Sequence, residues 1–447
     1  MTALRSSQAT SLKGTVAVPG DKSISHRAIL LGASAIGETT VTGLLEGEDV
    51  LATAAAVEAM GAIVTRPATP GGEWCIAGRG VGGLSEPATV LDMGNSGTAA
   101  RLMMGLLAAH PMRAQMTGDA SLNGRPMQRV MTPLEKMGAR FEARDGGRMP
   151  LCVIGSDELI PIEYELPVAS AQVKSAILLA GLNTAGITTV IEPEPTRDHS
   201  EHMLRHFGAE VAVEEQSGGG RRISITGQPE LTAQNIVVPG DISSAAFPLV
   251  AAAVVPGSDV TLANVGINPL RTGILRCLED MGAGFTYANQ REQAGEPVAD
   301  IRIVAGPLKG IDVPPERAPA MIDEYPVLAV CAAFAGGTTR MTGIGELRVK
   351  ESDRLAAVAR GLSDAGVTVR EGDDWLEVDG TGNAPKGGME VAVSLDHRIA
   401  MAFLVMGMAS RETVSIDDGS PINTSFPGFA ELMNGLGGDI GPAREAA

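Results

Sequence analysis

Apolar and polar positions along the chain switch between a helical period and a strand period, and they do so in six successive rounds. Each round opens on a short Gly/Ser/Asp-rich stretch and runs into a helix-length apolar segment of small residues. A Thr/Val strand follows, and a second helix closes on glycine. The closings fall at Gly61, Gly138, Gly208, Gly282, Gly366 and Gly437, as in LEKMGARF and LEDMGAGF. The openings start at Val18, Leu91, Leu166, Val237, Ala318 and Val393. A period of roughly 70 to 85 residues exceeds the usual solenoid repeats, so each round is large enough to be a small βα unit with its own sheet. Six rounds predict an α/β protein of two similar domains with three units each.

The opening helices, such as AILLGASAIG, LLAGLNTAG and PLVAAAVVPG, are apolar on nearly every face, which predicts burial all round. The closing helices, such as EDVLATAAAVEAMGA and PMQRVMTPLEKMGA, carry a charged face and are expected outside. Buried helices running parallel would collect their positive N-terminal ends on one side. Pro-Gly-Asp occurs twice, at Pro19 and Pro239, each time after a β-branched run, which marks a strand ending in a turn before a helix cap. These two points divide the rounds three and three. The expected domains are residues 21–239 and residues 1–20 with 240–447, with the active site in the cleft between them.

Charges that would be expensive in an apolar segment stand at the openings: Lys22 and Arg27, Arg101, Lys174, Asp323 and Glu324, Asp396 and Arg398. Pseudo-equivalent positions of a repeated fold share one end of the architecture, so these side chains are expected to converge there. The formal net charge of −18 disfavours nucleic acid and anionic membrane as partners, and aromatics at 3% leave few stacking platforms for single strands. An anionic metabolite remains compatible with a cleft lined by basic groups and helix N-termini. MTALRSSQATSLKG lacks the apolar core of a signal peptide and no apolar run reaches 18 residues, so a cytoplasmic protein is expected. The four cysteines show no metal or redox spacing and are expected to be buried free thiols.

Several segments carry chemistry. GDKSISHR at 20–27 sets Lys22 and Ser23 at a helix start with Arg27 one turn on, an anion-binding combination. GNSGTAAR at 94–101 offers glycines for close backbone approach beside Asn95, Ser96 and Thr98. In NGRPMQR, proline after Arg125 imposes an extended or turn geometry that can aim its guanidinium at a carboxylate or phosphate. SAQVKS at 170–175 places a Gln and a Lys before an apolar helix, where both need partners. LRVKESDR at 347–354, with Asp323 one round earlier and Arg398 one round later, supplies a carboxylate pair among cations, which suits proton transfer on an anionic substrate. GRGVGG at 78–83 matches a dinucleotide pattern but precedes no helix, and His199, His202 and His206 in RDHSEHMLRH are expected on a solvated outer face rather than on a metal.

Taken in order, GDKSISHR, GNSGT, GRPM, SAQVKSA, RDHSE, IDEYP, LRVKESDR and DHRIAM resemble the 5-enolpyruvylshikimate-3-phosphate synthase family over essentially the whole chain. SAQVK and RDHSE look like its class II branch, while Leu270 in NPLR and Thr424 in INTSFP depart from the residues expected of the branches. The resemblance implies two domains of three βαβαββ units with buried parallel helices, the enolpyruvyl transferase inside-out barrel. It implies transfer of the enolpyruvyl group of phosphoenolpyruvate to the 5-hydroxyl of shikimate 3-phosphate, releasing phosphate, by a monomer that needs no metal or organic cofactor. It carries Lys22, Ser23, Arg27, Ser170, Ala171, Gln172, Arg197, Asp323 and Lys350 onto the shikimate 3-phosphate site. It carries Lys22, Gly97, Arg125, Gln172, Arg354 and Arg398 onto the phosphoenolpyruvate site. Asp323 would take the hydroxyl proton, and Glu351 with Lys22 would protonate the methylene carbon. Glyphosate is the expected inhibitor at the phosphoenolpyruvate site. A sister transferase acting on a UDP-sugar shares the fold, but its active-site cysteine loop has no match here. A non-catalytic anion-binding protein would not need both carboxylates and so many cations.

Overall fold

The computed structural model describes residues 2–443. The chain divides into two compact units. Unit I consists of Gly20–Val238 with Glu292–Glu296; unit II consists, within the described residues, of residues 2–19, Pro239–Arg291 and residues 297–443. Each has its own hydrophobic core.

The core of unit I is built on three of the opening helices, α1 (Lys22–Ala33), α2 (Gly97–Ala108) and α3 (Ala171–Leu182). Unit II repeats the plan with α4 (Ile242–Val254), α5 (Tyr325–Phe334) and α6 (His397–Gly407). All thirteen residues of α4 and all eleven of α6 are buried, as expected of helices with no polar face. Small residues bring such helices close together. A Cβ at Gly105 of α2 would lie 2.2 Å from the Ala176 carbonyl oxygen of α3, so only glycine fits that crossing.

Six four-stranded sheets surround these helices, three to a unit among the described residues. Each has a parallel pair at one edge followed by an antiparallel neighbour. In one of them Asn235–Val237 runs parallel to Glu38–Thr42, which is antiparallel to Trp74–Ala77. That parallel pair joins the last strand of unit I to its first, with Asn235 opposite Thr40. In unit II the N-terminal segment supplies strands to two sheets, Leu4–Ser7 beside Val414–Ile416 and Lys13–Val16 beside Asp259–Gly266. A parallel pair needs a long crossover: between Glu163–Glu165 and Ile187–Glu192 it is the helix α3, and between Glu38–Thr42 and Asn235–Val237 it is nearly the whole of unit I.

The caps follow the sequence pattern. Asp21 and Asp241, each after Pro-Gly, accept the Ile24 and Ser243 amides and start α1 and α4. The six closing glycines all adopt positive φ, from 82° at Gly366 to 116° at Gly138, the left-handed conformation that ends a helix without a Cβ clash. No helix follows GRGVGG. The four cysteines are free, and all but Cys75 are buried. Among the described residues no helix is long and apolar enough to cross a membrane.

Candidate functional site

In unit I the N-terminal ends of α1, α2 and α3 lie side by side, as their hydrogen bonds demonstrate. His26 of α1 reaches Thr53 Oγ1 at 2.7 Å and the α2 cap Ser96 at 3.4 Å. Gln172 of α3 donates to Thr98 Oγ1 of α2 at 3.0 Å and accepts from Arg101 Nη1 at 2.9 Å. Three helix starts at one place add their amide dipoles into a positive region. Burial, with Lys22 and Arg27 adding to it, brings the His26 pKa down to about 3, so its ring is a neutral strut between α1 and α2.

The predicted residues of this unit fall at that end. Lys22 opens α1 and pairs with Asp49 at 3.0 Å. Arg27 is buried and fully directed: Nε donates to Ser200 Oγ at 2.8 Å, Nη1 to the Ser23 carbonyl at 2.9 Å and Nη2 to Ser175 Oγ at 2.6 Å. Burial lowers its pKa to about 10, with Arg197 pushing the same way and Glu201, Asp21 and Glu296 opposing, so it stays charged at neutral pH. Ser170 caps α3 by accepting the Val173 amide, and Ala171 and Gln172 form its first turn. Arg125 has the extended backbone that its proline imposes, and it donates to Asn95 Oδ1 at 2.9 Å and Ser121 Oγ at 3.1 Å. Gly97 opens α2 beneath Arg101 and Arg125.

Unit II holds the carboxylates. Arg354 has a side chain only 1% exposed, and it distributes its three nitrogens over three acids. Nε meets Asp396 Oδ2 at 2.7 Å, Nη1 meets Asp323 Oδ1 at 3.2 Å, and Nη2 meets Glu351. Burial would lower the Arg354 pKa, but Asp396, Glu351 and Asp323 together outweigh it and hold the guanidinium above its ordinary range. Lys350 lies 3.6 Å from Asp323 Oδ1 and 3.0 Å from Glu346. Arg398, in the first turn of α6, donates to the Asp323 carbonyl at 3.2 Å. Glu324 bonds Ser243 at the start of α4, which brings the starts of α4, α5 and α6 together as in unit I.

Two expectations need correction. Lys174 has the partners its position requires but does not join the converging charges: its side chain is fully buried between Glu192 and Glu201, because its place on α3 faces the strand and helix that supply those acids. His199 is not on a solvated face. It is buried, with Nδ1 2.7 Å from Glu296 Oε1, because Glu292–Glu296 covers that side of the His199–His206 helix. His202 remains partly exposed against Asp198. Among the described residues no group of three or more His, Cys, Asp and Glu side chains could hold a metal ion.

The structure also adds supporting residues that the motifs did not single out, Asp49 under Lys22 and Ser121 under Arg125, and it gives Asn95 to Arg125 and Asp396, held by Ser352, to Arg354. Asp353 is a helix cap, accepting the Ala356 amide. A shared opening position was the only sequence mark of Asp396, and Asp49 looked like any acid in a first helical turn.

A guanidinium that aligns two partly exposed carboxylates, in a chain whose other unit gathers Lys and Arg at helix starts, is a kit for proton transfer on an anion. The family model for EPSP synthase (3-phosphoshikimate 1-carboxyvinyltransferase) matches residues 7–433. The chain belongs to this family. It is 64% identical over 437 residues to a 3-phosphoshikimate 1-carboxyvinyltransferase from Paramagnetospirillum magneticum, covering 98% of each chain. It is 60% identical to one from Rhodospirillum rubrum, covering 98% of this chain and 97% of that one. A solved EPSP synthase from Acinetobacter baumannii superposes with a TM-score of 0.88 at 46% identity, covering 99% of this chain and all of the other. The activity that goes with family membership is carboxyvinyl transfer in the shikimate pathway, and the two-domain α/β fold is the family's fold.

Proposed function

We propose that this chain moves the enolpyruvyl group of phosphoenolpyruvate to the 5-hydroxyl of shikimate 3-phosphate with the residues described above. The observation that carries the reading is the Arg354 fork, which holds Asp323 and Glu351 on separate nitrogens. Lys22, Ser23, Arg27, Ser170, Ala171, Gln172, Arg197, Asp323 and Lys350 bind shikimate 3-phosphate. Lys22, Gly97, Arg125, Gln172, Arg354 and Arg398 bind phosphoenolpyruvate.

Asp323 accepts the proton of the 5-hydroxyl as its oxygen bonds to the central carbon of phosphoenolpyruvate. Glu351, with Lys22 beside the substrate, delivers a proton to the methylene carbon. Glu351, left as the carboxylate, then takes a proton back from the methyl group, which re-forms the double bond as the carbon–oxygen bond to phosphate breaks, and phosphate leaves with the electron pair. Cations around the leaving group and the carboxylate stabilise charge that develops only in the transition state. The reading includes a monomeric chain in the cytoplasm, which light scattering and cell fractionation check. Its central test is phosphate release by the purified protein given both substrates; no release, or release without shikimate 3-phosphate, overturns it.

A further inference from the structure

Lys174 sits in the same turn of α3 as Gln172, on a side with no exposure. Its ammonium meets Glu192 Oε1 at 3.0 Å and Glu201 Oε1 at 2.7 Å, and donates to the Thr196 carbonyl at 3.4 Å. The Thr196 hydroxyl donates to Glu192 as well. Burial raises the Glu192 carboxyl above its usual range although Lys174 opposes it. Buried ion groups of this kind often stabilise a fold no better than apolar residues of the same size, so stability alone is a weak account of the triad.

Its connections suggest another role. The triad joins the first turn of α3 to the end of the Ile187–Glu192 strand and to the start of the His199–His206 helix. The segment between those two anchors, residues 193–198, carries Arg197. Glu201 also supports the charge of Arg27, while its neighbour Ser200 and Lys174's neighbour Ser175 hold two of the Arg27 nitrogens.

We propose that Lys174 is a positioning residue for shikimate 3-phosphate: through Glu192, Thr196 and Glu201 it fixes Arg197 and Arg27 against the turn bearing Ser170, Ala171 and Gln172. This inference rests on the assignment of those residues to that substrate. A triad that served stability alone would change the folded fraction. A positioning triad changes the affinity of the folded protein for one substrate and leaves the other substrate alone.

Lys174→Met by itself leaves two buried carboxylates without the ammonium that neutralises them and endangers folding. The informative variant is Lys174→Met with Glu192→Gln, which keeps Glu201 for Arg27. Calorimetric titration of the folded double variant should show shikimate 3-phosphate binding weakened roughly tenfold, as displacement of a binding group by a fraction of an ångström allows. Its KM for phosphoenolpyruvate should stay within about twofold of the parent. Thr196→Val, which removes only the hydroxyl bond to Glu192, should weaken the same affinity by a smaller factor, and Thr196→Ser should restore it. The Thr196 pair decides the matter if the double variant does not fold. Arg197→Ala separates the two levels. If it weakens shikimate 3-phosphate binding while the Lys174 and Thr196 variants bind normally, the positioning role is wrong and the assignment stands. If Arg197→Ala binds normally, the assignment is wrong and the positioning role falls with it.

Discussion

Gly97→Ala tests how tightly Arg101 is coupled to Gln172. A Cβ at Gly97 would lie 2.7 Å from Arg101 Nη1 and 3.2 Å from Arg125 Nη1. Ordinary contact begins near 3.4 Å, so Arg101 must withdraw by roughly 0.7 Å. The end of a flexible side chain can do so and the fold should survive. The same Nη1, however, donates to Gln172 Oε1 at 2.9 Å and to the Gly97 carbonyl at 3.2 Å, and such a withdrawal carries both toward the limit of a hydrogen bond. A bond to a charged group is worth about 1.5–3 kcal/mol, and water at this partly exposed position replaces some of it, leaving a loss of about 1 kcal/mol. That corresponds to roughly a fivefold rise in KM for phosphoenolpyruvate. Glyphosate is longer than the substrate, so the added methyl should raise its inhibition constant by a larger factor, selectivity gained through exclusion. Steady-state kinetics of both proteins at matched phosphoenolpyruvate measure the two effects. An unchanged KM shows that Arg101 absorbs the methyl without disturbing Gln172. Equal or tighter glyphosate inhibition shows that Gly97 does not line the inhibitor's end of the site.

Lys22→Met should abolish nearly all turnover and cost about 1–3 kcal/mol, because Asp49 is left without its ammonium; chemical denaturation and initial rates check both, and turnover above a tenth of the parent sinks the assignment. Asp323→Ala and Glu351→Ala should each lose roughly 10²- to 10⁴-fold in kcat while remaining folded, since Arg354 keeps two other carboxylates. Normal turnover in either variant removes that residue from proton transfer. His26 gives a pH signature: the folded chain keeps it neutral down to about pH 3, whereas the unfolded chain protonates it below about 6.5, so its contribution is complete above 6.5 and is lost as the pH falls. Urea titrations should show the parent losing about 2 kcal/mol more than His26→Gln between pH 6.5 and 5, and parallel pH slopes would refute the neutral strut.

Much of the architecture was legible because it is local. Runs of small apolar residues with no polar face can only be buried helices, and all six are. Glycine after each closing helix answers a left-handed conformation that other residues reach at a cost, so the six positive φ values were implicit in the repeat. Asp21 and Asp241 cap helices because a carboxylate after a Pro-Gly turn finds free amides within three residues. The motif order likewise carried the family.

The sorting of charges was not local. Lys22 and Lys174 both stand near the start of an apolar helix, yet one keeps its ammonium at the candidate site and the other is sealed between two acids. The difference comes from Glu192 and Glu201, which reach Lys174 only after a strand and a helix have packed on α3. Arg354 acquires its fixed orientation from Asp396, 42 residues away in sequence, and no spacing announces that pair. His199 looked solvated until Glu296, 97 residues on, closed over it. Sequence determined which residues could form the helices, caps and turns, because those depend on backbone conformation and on neighbours a few residues apart. Tertiary structure decided which charged groups remain available to substrate, because burial and pairing depend on partners that only folding brings together.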